Sequence, residues 1–233
     1  MQHLQTIFAL LKLDNLNILR DKTLLMMLFL PFLLMFGLKL GIDSLLGLVP
    51  QMETYLPLTA AVLATTTGLL GGYVVAFVML DEKDENTFVV IRVMPLPTWL
   101  FLLYRLLYAW VWAFAFTLLT FLVFDVLDYT WVQKVSAACL CAQTAPLAFL
   151  LVVTFAKNKI EGMTFIKGIN FIVMLPAVAF FVGEMLQPIF FIFPHFWTFL
   201  SLQKPNGVAV FASIMTHLLS GVFLFRLFAK KNR

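Results

Sequence analysis

Charge is what this sequence has least of. Only 12% of its 233 residues are Asp, Glu, Lys or Arg, about half the share of a soluble domain. Apolar residues make up 62%, with 26 Phe among them. A water-soluble chain of this length could not hide so much apolar surface, so the bilayer is the expected solvent. Cysteine is almost absent. Cys139 and Cys141 stand two apart in an apolar run, a spacing that suits neither a CxxC redox pair nor zinc, and they read as small buried side chains. The 3 histidines form no pair at metal-ligand spacing, so no metal site is expected. There is no Gly-x-x-x-x-Gly-Lys-Ser/Thr loop, no His-Glu-x-x-His and no Gly-x-Ser-x-Gly turn, which removes the common routes to nucleotide, zinc and serine hydrolysis. No catalytic residue and no cofactor of the chain's own is expected. A net charge of +4 is too small to argue for a nucleic-acid partner. A polar segment precedes the first long apolar run, near Thr23, and no small-residue cleavage site follows, so a removable signal is not expected.

What is present is six runs of the length a helix needs to cross hydrocarbon, about 20 apolar residues. They fall at about 23–41, 56–80, 98–124, 131–155, 168–186 and 207–228. Backbone groups left unpaired in lipid are costly, and runs such as LLMMLFLPFLLMF are apolar on every side rather than alternating, so each is expected to be a helix. The fold class is therefore an all-α membrane protein, one transmembrane domain over 1–233. With the N-terminus inside, every Lys and Arg except Lys39, Lys134 and Lys204 lies on the inner side, as the positive-inside rule requires. Both termini are then cytoplasmic. Ahead of the first span, Leu4, Ile7, Phe8, Leu11 and Ile18 share one helical face, which suits a helix lying in the membrane interface over about 3–20. Asp14 and Asn15 interrupt that face and are expected to bend it.

Spans without water between them associate through close backbone approach and polar links. Ala60, Ala64, Gly68 and Gly72, four apart, form a small-residue ridge on the second span. Pro31, Pro146 and Pro176 are expected to bend the spans that hold them. Ser213 and His217 lie on adjoining faces of the last span. An intramembrane His is a functional candidate, so both are candidates for lining a pathway, against the simpler reading of a His bonded to a neighbouring helix. His3 and His195 are placed at the interface or outside, and Glu184 near the outer end of the fifth span.

The exception to the scarcity of charge is LDEKDENTFVVIRVMPLP, Leu80–Pro97. Its five charges from Asp81 to Glu85 would cost on the order of 10 kcal/mol inside the bilayer, so they must leave it. Acidic residues favour a helix start, Phe88–Met94 gives two turns with one apolar side, and Pro95 and Pro97 end it. The pattern predicts a short helix over about 82–94, acidic at its start, lying on the cytoplasmic surface between spans two and three. Such a helix suits a groove on a soluble protein.

The run Glu82-Lys83-Asp84-Glu85-Asn86-Thr87-Phe88, followed by Ile91 and Pro95-Leu96, resembles the Glu-x-Glu-x-Gly-Thr-Leu … Pro-Leu loop of the membrane subunits of type 2 ABC exporters, with Asn86 where Gly is usual. Leu11–Asp21 resembles that family's connector helix, and Pro194–Trp197 (PHFW) its outer Pro-x-x-Trp. The resemblance implies a permease subunit of an ATP-driven exporter, working by alternating access in the plasma membrane of a bacterium. Its implied partners are a second permease subunit, the same or different, and a separate ATP-binding subunit that holds ATP and Mg. The coupling helix would dock on that subunit through the polarity of Glu82, Asp84 and Glu85 and the groove contacts of Phe88 and Ile91, with Arg92 as a salt-bridge partner. Apolar spans with scattered Thr, Ser and Met suit a hydrophobic or amphipathic cargo. Two other readings share the layout: a secondary transporter driven by an ion gradient, and a non-transporting membrane anchor or immunity protein.

Overall fold

The computed structural model describes residues 2–85, 97–125 and 127–231, and every regular element among them is helical. Helix α1 (Gln2–Arg20) leads into α2 (Lys22–Leu48). A 3-10 segment, Pro50–Tyr55, reverses the chain into α3 (Leu56–Asp84), and α4 (Thr98–Val123) returns. Then come α5 (Trp131–Ala142) and α6 (Thr144–Phe155), which form one span broken at Gln143, and α7 (Lys159–Met174). Two 3-10 segments, Leu175–Phe180 and Gln187–Ile192, precede α8 (Pro194–Gln203) and α9 (Gly207–Lys231). Among the described residues, six stretches are long and apolar enough to cross a membrane: α2, α3, α4, α5 with α6, α7 with the 3-10 segment after it, and α9. The chain is a multi-pass, all-α membrane protein.

Helix α3 sits at the centre, packed against α2, α4, α5, α6, α7 and α8. Its small-residue ridge explains why. A methyl group on Gly68 would stand 2.8 Å from the carbonyl oxygen of Cys141, and one on Gly72 would stand 2.9 Å from Cα of Ala145. The ridge therefore serves an intramolecular contact and receives the backbone of the broken span. That break has a local cause, since Pro146 has no N–H to continue the α5 hydrogen-bond ladder. By contrast, α2, α7 and α9 leave most of their surface outside the bundle.

Several boundaries differ from expectation, each for a local reason. Asp14 does not bend α1, which is continuous, because Asp14 is fully buried against the bundle. The N-cap of α2 is Asp21, whose carboxylate accepts the Thr23 and Leu24 amides at 2.7 and 3.2 Å. The fifth span starts at Lys159, where Asn158 caps it by accepting the Glu161 amide at 2.8 Å. Its α-helical part ends at Met174, because Pro176 tips the chain into a 3-10 turn. Glu184 lies in the exposed turn that follows.

The segment after this turn folds back into the bundle. Helix α8 packs along α9 and begins with His195 edge-on to His217, with ring centroids 5.0 Å apart. His217 lies near the middle of α9, so α8 is a re-entrant half-helix. His195, expected at the interface or outside, is buried. The sequence distance between Glu184 and His195 is used up by the 3-10 segment that carries the chain inward.

Candidate functional site

The chain ends, the close of α3 and the start of α4 gather at one end of the bundle, and the scarce charges concentrate there. Asp81, Glu82, Lys83 and Asp84 form the last turn of α3. They do not open a separate helix, which corrects the expectation of an acidic N-terminus beginning at 82. Acidic groups at a helix C-terminus oppose its dipole, so cations from other helices must offset them.

Arg105 is the first such cation. It lies in the second turn of α4, is fully buried, and joins Asp14 of α1 at 3.1 Å and Glu82 of α3. Tyr104 donates its hydroxyl to Asp14, and Tyr108 donates to the Asn15 side chain at 2.9 Å. The guanidinium also stands 5.1 Å from the ring centre of Phe101. One turn of α4 thus grips the middle of α1 and the end of α3 together. Burial pushes the Asp14 carboxyl above the usual carboxylate value, more than Arg105 lowers it.

Lys159 is the second cation. Its ammonium bridges Asp21 at 2.7 Å and Asp81 at 2.9 Å, and its backbone N–H donates to Asp84 at 3.1 Å. It therefore ties the starts of α2 and α7 to the end of α3. Slight burial pushes the Asp21 carboxyl up, but hydrogen bonds from Lys159 and the Leu24 and Thr23 amides hold it below its usual value. Lys83 and Lys231 point elsewhere and donate to the Val153 and Thr154 carbonyls at 2.9 and 2.8 Å, where they neutralise the C-terminal end of α6.

Of the residues expected to dock a soluble partner, Asp84 and Glu85 are exposed. Glu82 is turned inward to Arg105, with a side chain 12% exposed, so its carboxylate faces the bundle rather than a partner. Phe88, Ile91 and Arg92, and with them most of the expected helix over 82–94, lie outside the described residues. Sequence reasoning missed Asp14 and Arg105 as a pair. It counted Arg105 as a flanking cation and Asp14 as an interruption. The available signal was that each is an isolated charge of opposite sign on an otherwise apolar helical face.

Near mid-bundle, Ser213 is fully buried, and its hydroxyl shares a hydrogen bond with Thr198 of α8 at 2.8 Å. His217 donates Nδ1–H to the Ser213 carbonyl at 2.8 Å, which leaves Nε2 buried and without a hydrogen-bond partner among the described residues. His217 lines a cavity of about 560 Å³ between α4, α6 and α9, whose walls include Trp110, Gln143, Phe225 and Arg226. Gln143, at the broken point of the fourth span, also lines a cavity of about 370 Å³ toward the opposite end, with Tyr129, Ser136 and Ser201. Among the described residues no group of His, Cys, Asp and Glu is arranged to hold a metal ion.

Comparison with known proteins gives a consistent match. Residues 14–229 match the family model described as "Fluoroquinolones export permease protein Rv2686c-like". Two Mycobacterium tuberculosis proteins, "Fluoroquinolones export permease protein Rv2686c" (strain ATCC 25618 / H37Rv) and "Fluoroquinolones export permease protein MT2760" (strain CDC 1551 / Oshkosh), are each 27% identical over 165 residues. That alignment covers 70% of this chain and 63% of either relative, so the chain spans less than two thirds of the relatives' length.

Proposed function

The chain belongs to the Rv2686c-like family of fluoroquinolones export permease proteins, and from that premise we propose that it is the permease subunit of an ATP-driven exporter. Its cargo is an amphipathic aromatic compound of the fluoroquinolone class. A separate ATP-binding subunit holds ATP and Mg, and a second permease subunit completes the pathway. Both termini and the run from Asp81 to Pro97 face the cytoplasm, where almost all the Lys and Arg fall.

The observation that carries this reading is the Arg105 junction. The charged run leaves α3 just beyond Glu82, and Glu82 is held by a buried guanidinium that also holds α1. After residues 85–97 the chain enters α4, which supplies that guanidinium. A push on the run therefore reaches α1, α3 and α4 together, and through Lys159 it reaches α2 and α7. An ATP-driven motor needs such a handle: a small external segment whose displacement biases several spans between two arrangements. Asp84 and Glu85 supply outward polarity, and Phe88, Ile91 and Arg92 make the contacts in the motor's groove.

The test is reconstitution of the chain with its ATP-binding subunit in inverted vesicles, following uptake of a fluoroquinolone. Uptake should require ATP and survive collapse of the proton gradient. Replacing Phe88 and Ile91 together by Ala should weaken association and stimulation of ATP hydrolysis. Uptake that follows the proton gradient and ignores ATP would assign the chain to secondary transport instead. Binding of a soluble partner without any uptake would make it an anchor.

A further inference from the structure

We propose that the groove between α1 and α4 binds one acyl chain of an anionic phospholipid from the cytoplasmic leaflet. The inference uses the cytoplasmic placement of α1 given above and stands apart from the exporter reading.

Helix α1 crosses α4 without filling the space beside it. Ile7 and Leu11 on one side, and the α4 face from Leu100 to Val111 on the other, enclose about 360 Å³. Every lining residue is apolar or a tyrosine, so the groove selects no polar ligand. It is open sideways, since Leu103, Leu107 and Val111 are 40%, 57% and 56% exposed. They fall four apart on one stripe of α4, and α4 is a membrane span. The medium around such a stripe is hydrocarbon, and hydrocarbon is what can enter.

Length selects one leaflet as its source. From Leu100 to Val111 the helix rises about 16 Å, close to half of the ~30 Å hydrocarbon core. The groove starts one residue after Trp99, which is exposed and of the type that marks the membrane interface. It therefore runs from the interface to the bilayer middle, the reach of a single chain from the near leaflet. Charge selects the head group. Lys12 follows Leu11 on the exposed flank of α1 and stands three residues from Asn15, its neighbour on the helix surface. Tyr108 of the groove donates to that Asn15 at 2.9 Å. Lys12 is exposed and makes no ion pair among the described residues. Its stem can lie along the chain while its ammonium rises to a phosphate. The one acid of α1, Asp14, is buried against Arg105, so the charges that α1 turns outward, Lys12 and Arg20, are both basic. Such a surface favours anionic lipid.

The floor of the groove gives the lipid a task. Tyr104 and Tyr108 line it and direct their hydroxyls to Asp14 and Asn15. A seated chain covers these tyrosines and keeps water from the Arg105 junction, whose pairings are stronger where water is excluded.

The test is native mass spectrometry of the full chain in mild detergent, titrated with palmitoyl-oleoyl phosphatidylglycerol and with phosphatidylcholine of the same chains. The wild type should hold one phosphatidylglycerol more tightly than any further one, and more tightly than phosphatidylcholine. Leu107→Trp, which places an indole in the groove from an exposed position, should weaken that first lipid of either kind on the order of tenfold, the equivalent of about two methylenes of burial. Val111→Trp, deeper in the groove, should do the same and serves if Leu107→Trp does not fold. Lys12→Gln should weaken phosphatidylglycerol about fivefold, the weight of one basic side chain at an anionic surface, and leave phosphatidylcholine as it was. A phosphatidylglycerol with a diazirine in its acyl chain should label α1 and α4 in the wild type and lose that label in the filled variants. Filled variants that melt normally and hold phosphatidylglycerol as the wild type does would overturn the site, as would labelling spread evenly over the lipid-facing spans. An unchanged preference for phosphatidylglycerol in Lys12→Gln would overturn the anionic assignment. Loss of a dimer in Leu107→Trp, with lipid retention unchanged, would show that a second copy covers this face and would overturn the proposal equally.

Discussion

Removing the guanidinium of Arg105 would leave the Asp14 and Glu82 carboxyls facing each other where water is excluded. Breaking one side of a buried ion pair typically costs about 3–5 kcal/mol, so Arg105→Met should lower the thermal stability of the detergent-solubilised protein by an amount of that order. Combining it with Asp14→Asn should restore part of the loss. Arg105→Lys should fall between, since Nη2 alone meets both carboxylates and a lysine ammonium must reach that point on a shorter side chain, without the planar guanidinium that lies by Phe101. The two acidic residues of α1 and its exit also separate by pH. Asp21 is held below its usual pKa, chiefly by Lys159 and two amides acting against slight burial. Its contribution is complete above pH ~4 and is lost as pH falls through the folded-state value. Asp14 is held above its usual value by burial, so its contribution has the opposite sign: it is present at low pH and is lost as pH rises through the raised value. Melting profiles against pH should therefore be flattened on the acid side by Asp21→Asn and steepened there by Asp14→Asn.

At the scale of elements, the bundle is organised by where backbones touch. The α3 ridge meets the backbone of residues 141–145, with no space for a methyl group at Gly68 or Gly72. Gly72→Ala should therefore cost about 1–3 kcal/mol through overpacking. Gly41→Ala, where nothing lies within 4 Å, should be neutral or stabilising by up to ~1 kcal/mol through helix propensity. Parallel thermal melts of the two variants check the contrast. The existence of the helices was legible because each span is apolar for longer than a buried soluble helix requires. The ridge was legible as a four-residue repeat, though its partner was not, because the facing segment is marked only by Pro146 and small residues. The re-entrant α8 was hidden for a different reason. Its ten residues are too few to register as a span, and the 3-10 segments before it carry no periodicity that distinguishes inward from outward travel.

At the scale of the whole molecule, α1, α2, α3, α4 and α7 are joined at one end by Arg105 and Lys159. The site was only half legible, since the charged run announces itself whereas its anchors sit 68 residues before and 23 residues after Glu82, in Asp14 and Arg105. If this junction transmits force, Arg105→Met in the reconstituted complex should leave ATP hydrolysis by the partner largely intact while lowering fluoroquinolone uptake several-fold. Phosphate release and vesicle uptake measured together check the split. Loss of both in equal proportion would point to simple misassembly. Gln143 lines both cavities of the bundle. At that point the two spaces are parted by the breadth of a single side chain, small against the ~30 Å depth of the hydrocarbon.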